Sequence, residues 1–244
     1  MFSSAQALIN QGRDGPRAAA TWTVYEMTEY AAARLNMVES QIRTNRVTDP
    51  RIIAAFESLA REAFVGAAAR GYAYIDEDLE IAPGRYLMEP MVLGRLLQAA
   101  MPRPGDIALD IGCATGYSTA VLAQIAATVV GLESDRALRD GANRTLNALD
   151  VDNAVVVEGD LAAGYQKQAP YDIIIFQGAV SAVPDGIKRQ LGEGGRLVAV
   201  VTDEAGIGRA TLIQRSGETF SPRTLFDAAT PPLPGFEREA GFVF

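Results

Sequence analysis

The chain has 244 residues, of which 48% are hydrophobic, and its 22 lysines and arginines are outnumbered by 30 aspartates and glutamates, which gives a net charge of −8. This length and apolar content predict a folded protein with one substantial core, and the acidic balance argues against nucleic-acid binding through a basic surface. A single cysteine, Cys113, and the lack of histidine exclude an internal disulfide and imidazole-dependent hydrolysis, and they predict no metal site built on thiolate or imidazole ligands.

The N-terminal segment differs in composition from the rest of the chain. Residues 1–26 mix glycine, proline and serine with little periodicity, and we interpret them as a flexible extension or an upstream translation start before a domain over 27–244. They have no basic start followed by a long apolar stretch, and no later apolar run approaches the ~20 residues that span a bilayer. We therefore expect a cytoplasmic protein that does not associate with membranes.

Three helices are predicted in the first part of the domain, over 27–100. The spacing of apolar residues predicts a helix over about 29–46. A second helix is expected to begin at Pro50, because Asp49 is placed to cap it and proline is favoured at the first helical position. A third is expected to begin at Pro90. These helices would form a cover over the remainder of the domain.

From residue 101 onward, strand-like and helical segments alternate. The strand-like segments are IALDIG, TVVGLE, NAVVVEGD and YDIIIFQG, and the helical segments between them are YSTAVLAQIA and DRALRDGANRTLNAL. Strands dense in valine and isoleucine and separated by helices indicate a mostly parallel sheet covered on both faces. We expect an α/β fold in which residues 101–244 form the ligand-binding core.

Acidic residues end three successive predicted strands: Asp110, Glu133 and Asp160. In a doubly wound sheet, ligands bind at the carboxyl ends of the strands, where glycines such as Gly112 and Gly116 let a ligand approach the backbone. A pyrophosphate beside Asp110 would be disfavoured, which argues against a dinucleotide. S-adenosylmethionine has no phosphate and carries a sulfonium and an ammonium group, so it suits these acids. The competing interpretation is that the acids cap helices or face solvent.

The residues predicted to bind this cofactor are Asp110, Gly112, Cys113, Gly116, Glu133, Asp160 and Leu161. Asp110 is expected to hold the amino-acid end of the cofactor. Glu133, about twenty residues after the glycine loop, is expected to bind both ribose hydroxyls. Asp160 and Leu161 are expected to border the adenine. Cys113 has no basic neighbour in sequence to lower its pKa, so we assign it no redox or nucleophilic role.

Several segments resemble known methyltransferases. DIGCATGYSTAVLA, Glu133, EGD and LGEGGRLV resemble the class I S-adenosylmethionine-dependent methyltransferases. RVTDPRIIAAFESLAREAFV, YAYIDEDLEI, YDIIIFQGAVSAVP and PPLPGF are similar, more narrowly, to the protein-L-isoaspartate O-methyltransferases, and together these segments cover roughly residues 36–236. The resemblance implies a Rossmann-like, seven-stranded, mostly parallel sheet with helices on both faces and extra N-terminal helices. It also implies methyl transfer to the free carboxylate of an isoaspartyl residue in a damaged protein or peptide.

The stretch GRYLMEP, residues 84–90, departs from the family pattern GQTISxP and looks like a loop that leads into the third helix. Gly84 and Pro90 match the pattern, whereas Arg85, Tyr86, Leu87 and Met88 replace its glutamine, threonine, isoleucine and hydroxyl residue. We interpret Arg85, Tyr86 and Met88 as substrate-loop positions. Arg85 or Tyr86 is expected to hold the substrate, since a guanidinium can bind a carboxylate in a bidentate manner, and Met88 stands where the family has its hydroxyl residue.

Three alternatives to that interpretation of the loop remain open. The protein could methylate another acceptor, or it could bind the cofactor without catalysis and act as a regulatory protein. The loop side chains could also pack under the N-terminal helices, with Arg85 as a surface charge. The sequence gives no indication of the oligomeric state.

Overall fold

The computed structural model describes residues 24–236, with side chains from residue 29 onward. Most of the predicted N-terminal extension therefore lies outside the described residues. Its last three residues, 24–26, belong to the first helix, so the helix begins before the predicted domain boundary.

The N-terminal part consists of helices, helical turns and one β-hairpin. Its elements are α1 (Val24–Met37), a π-helical continuation (Val38–Arg43), α2 (Pro50–Ser58), two 3-10 turns (Arg61–Phe64 and Ala67–Tyr72), β1 (Leu79–Ala82), β2 (Arg85–Leu87) and α3 (Pro90–Ala100). The predicted cap of α2 is confirmed, because the Asp49 carboxylate accepts a hydrogen bond from the Arg51 backbone N–H at 2.9 Å.

The rest of the described chain forms the sheet and the segments that connect it. The strands are β3 (Ile107–Ile111), β4 (Thr128–Glu133), β5 (Ala154–Glu158), β6 (Tyr171–Val180), β7 (Leu191–Thr202), β8 (Gly208–Ser216) and β9 (Thr219–Asp227). The helices are α4 (Tyr117–Ala123), α5 (Arg136–Ala148) and α6 (Asp185–Lys188), with 3-10 turns at Leu161–Ala163 and Gln166–Gln168.

The sheet has seven strands in the order β5-β4-β3-β6-β7-β8-β9. The pairs from β5 through β7 are parallel, and β8 and β9 add an antiparallel edge. The chain runs outward from β3 to β5 and then crosses to β6 on the other side of β3. The predicted α/β fold with a mostly parallel sheet is confirmed. The crossover makes the carboxyl ends of β3 and β6 the switch point at which such sheets bind ligands.

The two faces of the sheet are buried in different ways. Alternate strand residues such as Ala108 and Val129 face a core shared with the N-terminal helices, α4 and α5. Their neighbours Leu109 and Val130 face a second core, which is closed by α6, the short turn after β5 and the C-terminal residues Leu233 and Phe236. The longer helices thus lie on one face, and short segments cover the other.

The stretch GRYLMEP forms part of a hairpin, which differs from the expected loop. Strand β2 pairs antiparallel with β1, with Leu79 opposite Leu87. Pro83 and Gly84 connect the two strands, and Gly84 has φ +67°. Proline followed by a glycine with positive φ is the pattern of a type II turn, and it explains why the chain reverses here. Strand alternation then buries Arg85 and Leu87 and leaves Tyr86 between them half-buried.

Candidate active site

The glycine loop between β3 and α4 begins the candidate site. Gly112 has φ +74° and Gly116 has φ +90°, conformations that glycine adopts without strain. The Gly112 N–H donates to the Leu132 carbonyl at 2.8 Å, which fixes the loop against the end of β4. A side chain at Gly112 would place its Cβ 2.5 Å from Leu233 Cδ1. The positive φ therefore favours glycine at this position, and any side chain here would also displace Leu233 of the C-terminal segment.

Asp110 lies fully buried at the end of β3. Its carboxylate accepts hydrogen bonds from Ser118 Oγ and Thr119 Oγ1, each at 2.6 Å, and from Gln177 Nε2 at 2.8 Å. Burial raises the pKa of Asp110 to about 6, although the three hydrogen bonds to Ser118, Thr119 and Gln177 act in the opposite direction. These contacts hold the carboxylate across the switch point, between the first turn of α4 and strand β6.

Glu133 lies fully buried at the end of β4 and accepts hydrogen bonds on both carboxylate oxygens. Oε1 accepts the backbone N–H groups of Ser134 at 2.8 Å and Asp135 at 3.0 Å. Oε2 accepts the backbone N–H of Ala114 at 2.8 Å and a guanidinium N–H of Arg85. The predicted ribose-binding carboxylate is therefore held beside the glycine loop by backbone donors and by one arginine.

Arg85 connects the hairpin to this carboxylate. Its side chain is only 7% exposed, and its Nη2 forms the ion pair with Glu133. The buried Nε and Nη1 of Arg85 have no hydrogen-bond partner. Arg85 is thus not a surface charge. Its guanidinium contacts Glu133, the residue predicted to bind the cofactor ribose, and its Nε and Nη1 have no hydrogen-bond partner.

The other two predicted substrate-loop residues lie in different environments. Tyr86 is half-buried and lies opposite Glu80 in the hairpin. The Met88 side chain is 3% exposed and packs in the core shared with the N-terminal helices, and only its backbone carbonyl makes a polar contact, with Arg61. This placement favours a packing role for Met88 over contact with a substrate.

The remaining predicted cofactor residues are divided between packing and capping. Cys113 is buried, and burial raises the pKa of its thiol well above the usual value, so it lacks the thiolate character of a nucleophile. Asp160 is exposed, and its carboxylate accepts the Ala162 backbone N–H at 2.9 Å, which caps the turn after β5. Leu161 is buried in the second core. A role for Asp160 and Leu161 beside an adenine remains a prediction.

Arg61 is a buried residue of the site region that the sequence did not identify. Its Nε donates to the Ala73 carbonyl at 2.6 Å and its Nη2 to the Met88 carbonyl at 2.8 Å. Its guanidinium carbon lies 4.7 Å from the centroid of the Tyr117 ring, at the start of α4. Arg61 therefore joins the end of the hairpin to the helix that follows the glycine loop. In the sequence, Arg61 was marked only by its position in RVTDPRIIAAFESLAREAFV, one of the segments that resemble the protein-L-isoaspartate O-methyltransferases.

A cavity of about 820 Å³ lies beyond the carboxyl ends of β6 and β7. It borders the hairpin region at Asp78, whose carboxylate accepts the Glu89 backbone N–H at 2.9 Å and the Thr230 hydroxyl at 3.1 Å. It borders the switch point at 179–181, which follow the Asp110 partner Gln177 in β6. Its described lining includes the carboxylates of Asp78, Asp203 and Glu204 and no lysine or arginine.

Among the described residues, 24–236, no helix has the length and apolar character to cross a membrane. Within the same residues, no group of three or more histidine, cysteine, aspartate or glutamate side chains is arranged to hold a metal ion.

Comparison with known proteins identifies the family. The model of the family protein-L-isoaspartate(D-aspartate) O-methyltransferase (PCMT) matches residues 33–226. A protein-L-isoaspartate O-methyltransferase of Methylorubrum populi is 37% identical over 202 residues, which cover 83% of this chain and 95% of the relative. Protein-L-isoaspartate O-methyltransferase 1 of Rhodopseudomonas palustris is 36% identical over 213 residues, which cover 87% of each chain.

Solved structures agree with this result. A protein-L-isoaspartate O-methyltransferase superposes with a TM-score of 0.73 at 25% identity, over 83% of this chain and 66% of the other. A Plasmodium falciparum structure described as a beta-aspartate methyltransferase (PCMT), in complex with S-adenosyl-L-homocysteine, has a TM-score of 0.68 over 84% of this chain and 97% of the other. Its identity is 18%, so it supports the fold alone. The chain belongs to the protein-L-isoaspartate O-methyltransferase family.

Proposed function

We propose that the protein is an S-adenosylmethionine-dependent O-methyltransferase that methylates the free carboxylate of isoaspartyl residues in proteins or peptides. The observation that carries this proposal is the pair of fully buried carboxylates, Asp110 and Glu133, beside a glycine loop at the switch point of the sheet. Family membership supports the reaction, since the relatives are protein-L-isoaspartate O-methyltransferases.

The chemistry of the site fits this cofactor. Buried carboxylates are suited to a ligand with a sulfonium and an ammonium group and no phosphate. In our assignment, Asp110 holds the amino-acid end, Glu133 the ribose, and Asp160 with Leu161 the adenine. Thr115 Oγ1 of the glycine loop is buried without a hydrogen-bond partner, which leaves one more polar group for a ligand. When bound, S-adenosylmethionine supplies an electrophilic methyl group.

The reaction needs no proton-transfer residue from this chain. The acceptor carboxylate is already ionised at neutral pH. It could attack the methyl carbon directly, while the carbon–sulfur bond would break and S-adenosylhomocysteine would leave as a neutral thioether. The absence of histidine is therefore compatible with catalysis. The protein contributes alignment of the reacting atoms and an electrostatic environment that is fixed before the reaction.

We place the acceptor in the cavity beyond β6 and β7. Two contacts support this assignment: Asp78 joins the cavity to the start of α3 through the Glu89 N–H, and Gln177 joins β6 to Asp110. A peptide that presents an isoaspartyl residue to the cofactor site would lie across this opening. We also propose that the protein acts in the cytoplasm, where its single buried cysteine would stay reduced.

The same cavity supports a second candidate, a methyltransferase of this family with a different acceptor. The buried Met88 side chain offers no hydrogen-bond donor. The described lining of the cavity contains three carboxylates, of which Asp203 is paired with Arg209, and no basic residue. A neutral or cationic acceptor would experience less repulsion from the other two carboxylates than an anionic one.

The test combines cofactor binding with methyl transfer in one preparation. Isothermal titration with S-adenosylmethionine would be followed by a transfer assay on an isoaspartyl peptide and on its normal aspartyl counterpart. We expect binding and transfer to the isoaspartyl peptide alone. Binding with no transfer to either peptide would favour the second candidate, and no binding would overturn the cofactor assignment.

A further inference from the structure

The carboxylate of Glu133 has no vacant hydrogen-bonding position. Each of its oxygens already accepts two N–H donors, from Ser134 and Asp135 on Oε1 and from Ala114 and Arg85 on Oε2. The Ser134 hydroxyl makes a further, longer contact at 3.4 Å. A carboxylate offers about four acceptor positions in total. Two ribose hydroxyls can therefore donate to Glu133 only if a present donor leaves.

Arg85 is the donor that can leave. The other three short contacts come from backbone N–H groups of the glycine loop and of the turn after β4, and these are fixed by the fold. Arg85 reaches Glu133 from β2 through a long side chain that can change rotamer without breaking a strand or a helix. It is bound to Glu133 by a single N–H group, since its Nε and Nη1 are unpaired.

A guanidinium displaced from Glu133 needs another anion. Removal of one partner from a buried ion pair leaves an uncompensated charge, which is strongly unfavourable. Arg85 lies three residues from Met88, whose carbonyl is held by Arg61, and four from Glu89, whose N–H is bound to the cavity residue Asp78. In the proposed function, the acceptor carboxylate is the anion that the reaction brings to the hairpin region, where Asp78 lines the cavity.

We propose that Arg85 is an exchangeable partner of Glu133 that couples the binding of cofactor and acceptor. The cofactor ribose displaces Arg85 from Glu133, and the freed guanidinium then binds the acceptor carboxylate in a bidentate manner. The cofactor consequently binds first and raises the affinity for the acceptor. This inference rests on the proposed function, because it requires Glu133 to bind the ribose.

The experiment measures binding of S-adenosylhomocysteine, which cannot transfer a methyl group, to the parent protein and to Arg85→Gln by isothermal titration. If the ion pair leaves Glu133 free in about one-tenth of the molecules, Arg85→Gln should bind about tenfold more tightly. The parent should also bind an isoaspartyl peptide more tightly when S-adenosylhomocysteine is present, and Arg85→Gln should lose this increase.

A matched control is Arg196→Gln, which breaks a second buried arginine ion pair, with Asp106. This variant should bind S-adenosylhomocysteine with the parent affinity. Equal or weaker binding by Arg85→Gln, with the parent binding normally, would overturn the exchange and leave the proposed function intact. If neither the parent nor Arg85→Gln binds while both show cooperative thermal unfolding, the cofactor assignment itself fails, and the exchange fails with it.

Discussion

Two buried arginine ion pairs lie at opposite ends of the parallel strands, and they differ in how completely they are satisfied. Arg196 bonds Asp106, just before β3, at 2.6 Å and donates its remaining groups to the carbonyls of Ala100, Met101 and Asp172. Arg85 bonds Glu133, at the end of β4, and leaves Nε and Nη1 unpaired. A guanidinium and a carboxylate thus form an ion pair at each end of the strands. Every nitrogen of the guanidinium is hydrogen-bonded at one end, and two nitrogens lack partners at the other.

The difference distinguishes an ion pair that stabilises the fold from an ion pair whose polar groups remain available to bind a ligand. Buried polar groups in folded proteins are nearly always paired, so a buried guanidinium that bonds a carboxylate through Nη2 and leaves Nε and Nη1 without partners is an unusual arrangement. It occurs at the switch point of the sheet, the place where such sheets bind ligands. The satisfied pair anchors the end of α3 to the amino ends of β3 and β7, where ligands are not expected.

The largest expected effect is the loss of free energy of unfolding when either arginine ion pair is broken. Arg196→Gln should lower the free energy of unfolding by about 3–5 kcal/mol, because it leaves Asp106 buried without its charged partner. Arg85→Gln should cost less, about 1–2 kcal/mol, because Glu133 keeps its three backbone donors. Urea denaturation of both variants measures the difference. Equal losses would show that the two pairs are energetically alike and would remove the distinction drawn above.

The next effect concerns cofactor affinity. Glu133→Gln keeps the shape of the side chain but replaces an anionic acceptor by an amide, and it should weaken S-adenosylmethionine binding on the order of a hundredfold, the value of one or two charge-assisted hydrogen bonds. Arg196→Gln is the control. A Glu133→Gln variant that binds with the parent affinity would remove Glu133 from the site.

A smaller effect is expected from the titration of Asp110. Burial raises the pKa of this carboxyl to about 6, so it becomes protonated as the pH falls below that value. The ammonium group of the cofactor favours the ionised carboxylate. Affinity should therefore be constant above about pH 7 and fall by up to tenfold for each pH unit below 6. Titrations from pH 5 to 8 measure this slope, and Asp110→Asn should abolish it; a slope that persists in that variant would assign it to another group.

The smallest effect concerns Glu89, the first residue before α3. Burial, together with the nearby carboxylates of Asp76, Asp78 and Glu77, raises the pKa of Glu89 to about 7. The folded state therefore binds a proton that the unfolded state has released, and stability should decline as the pH rises from about 4.5 to 7. Glu89→Gln should flatten this decline in thermal denaturation curves. A decline as steep as that of the parent would show that Glu89 does not cause it.

Local signals in the sequence predicted much of the fold. The Asp49 and Pro50 pair marked the start of α2, and the runs of valine and isoleucine marked the parallel strands, because both features act over a few residues. The same strand pattern placed Asp110 and Glu133 at neighbouring strand ends. The hairpin was missed although Pro83 and Gly84 supplied a turn signal, since the stretch was interpreted from its position between a strand-like run and an apolar helical run.

The contacts that define the site could not be predicted in this way. The ion pair of Arg85 joins residues separated by 48 positions, and the hydrogen bond between Gln177 and Asp110 spans 67. Such pairs depend on the position of a hairpin over the sheet and on the order of strands in it. Periodicity determines which side of a strand a residue faces, but it does not determine which distant residue lies opposite.

The central claim, that this site methylates isoaspartyl carboxylates, is tested most directly by a methyl-transfer assay with labelled S-adenosylmethionine. The acceptors are an isoaspartyl peptide and the peptide of identical sequence with a normal aspartyl residue. We predict that label enters the isoaspartyl peptide alone, as an ester that base hydrolyses. Equal labelling of both peptides, or of neither by a protein that binds the cofactor, would contradict the account.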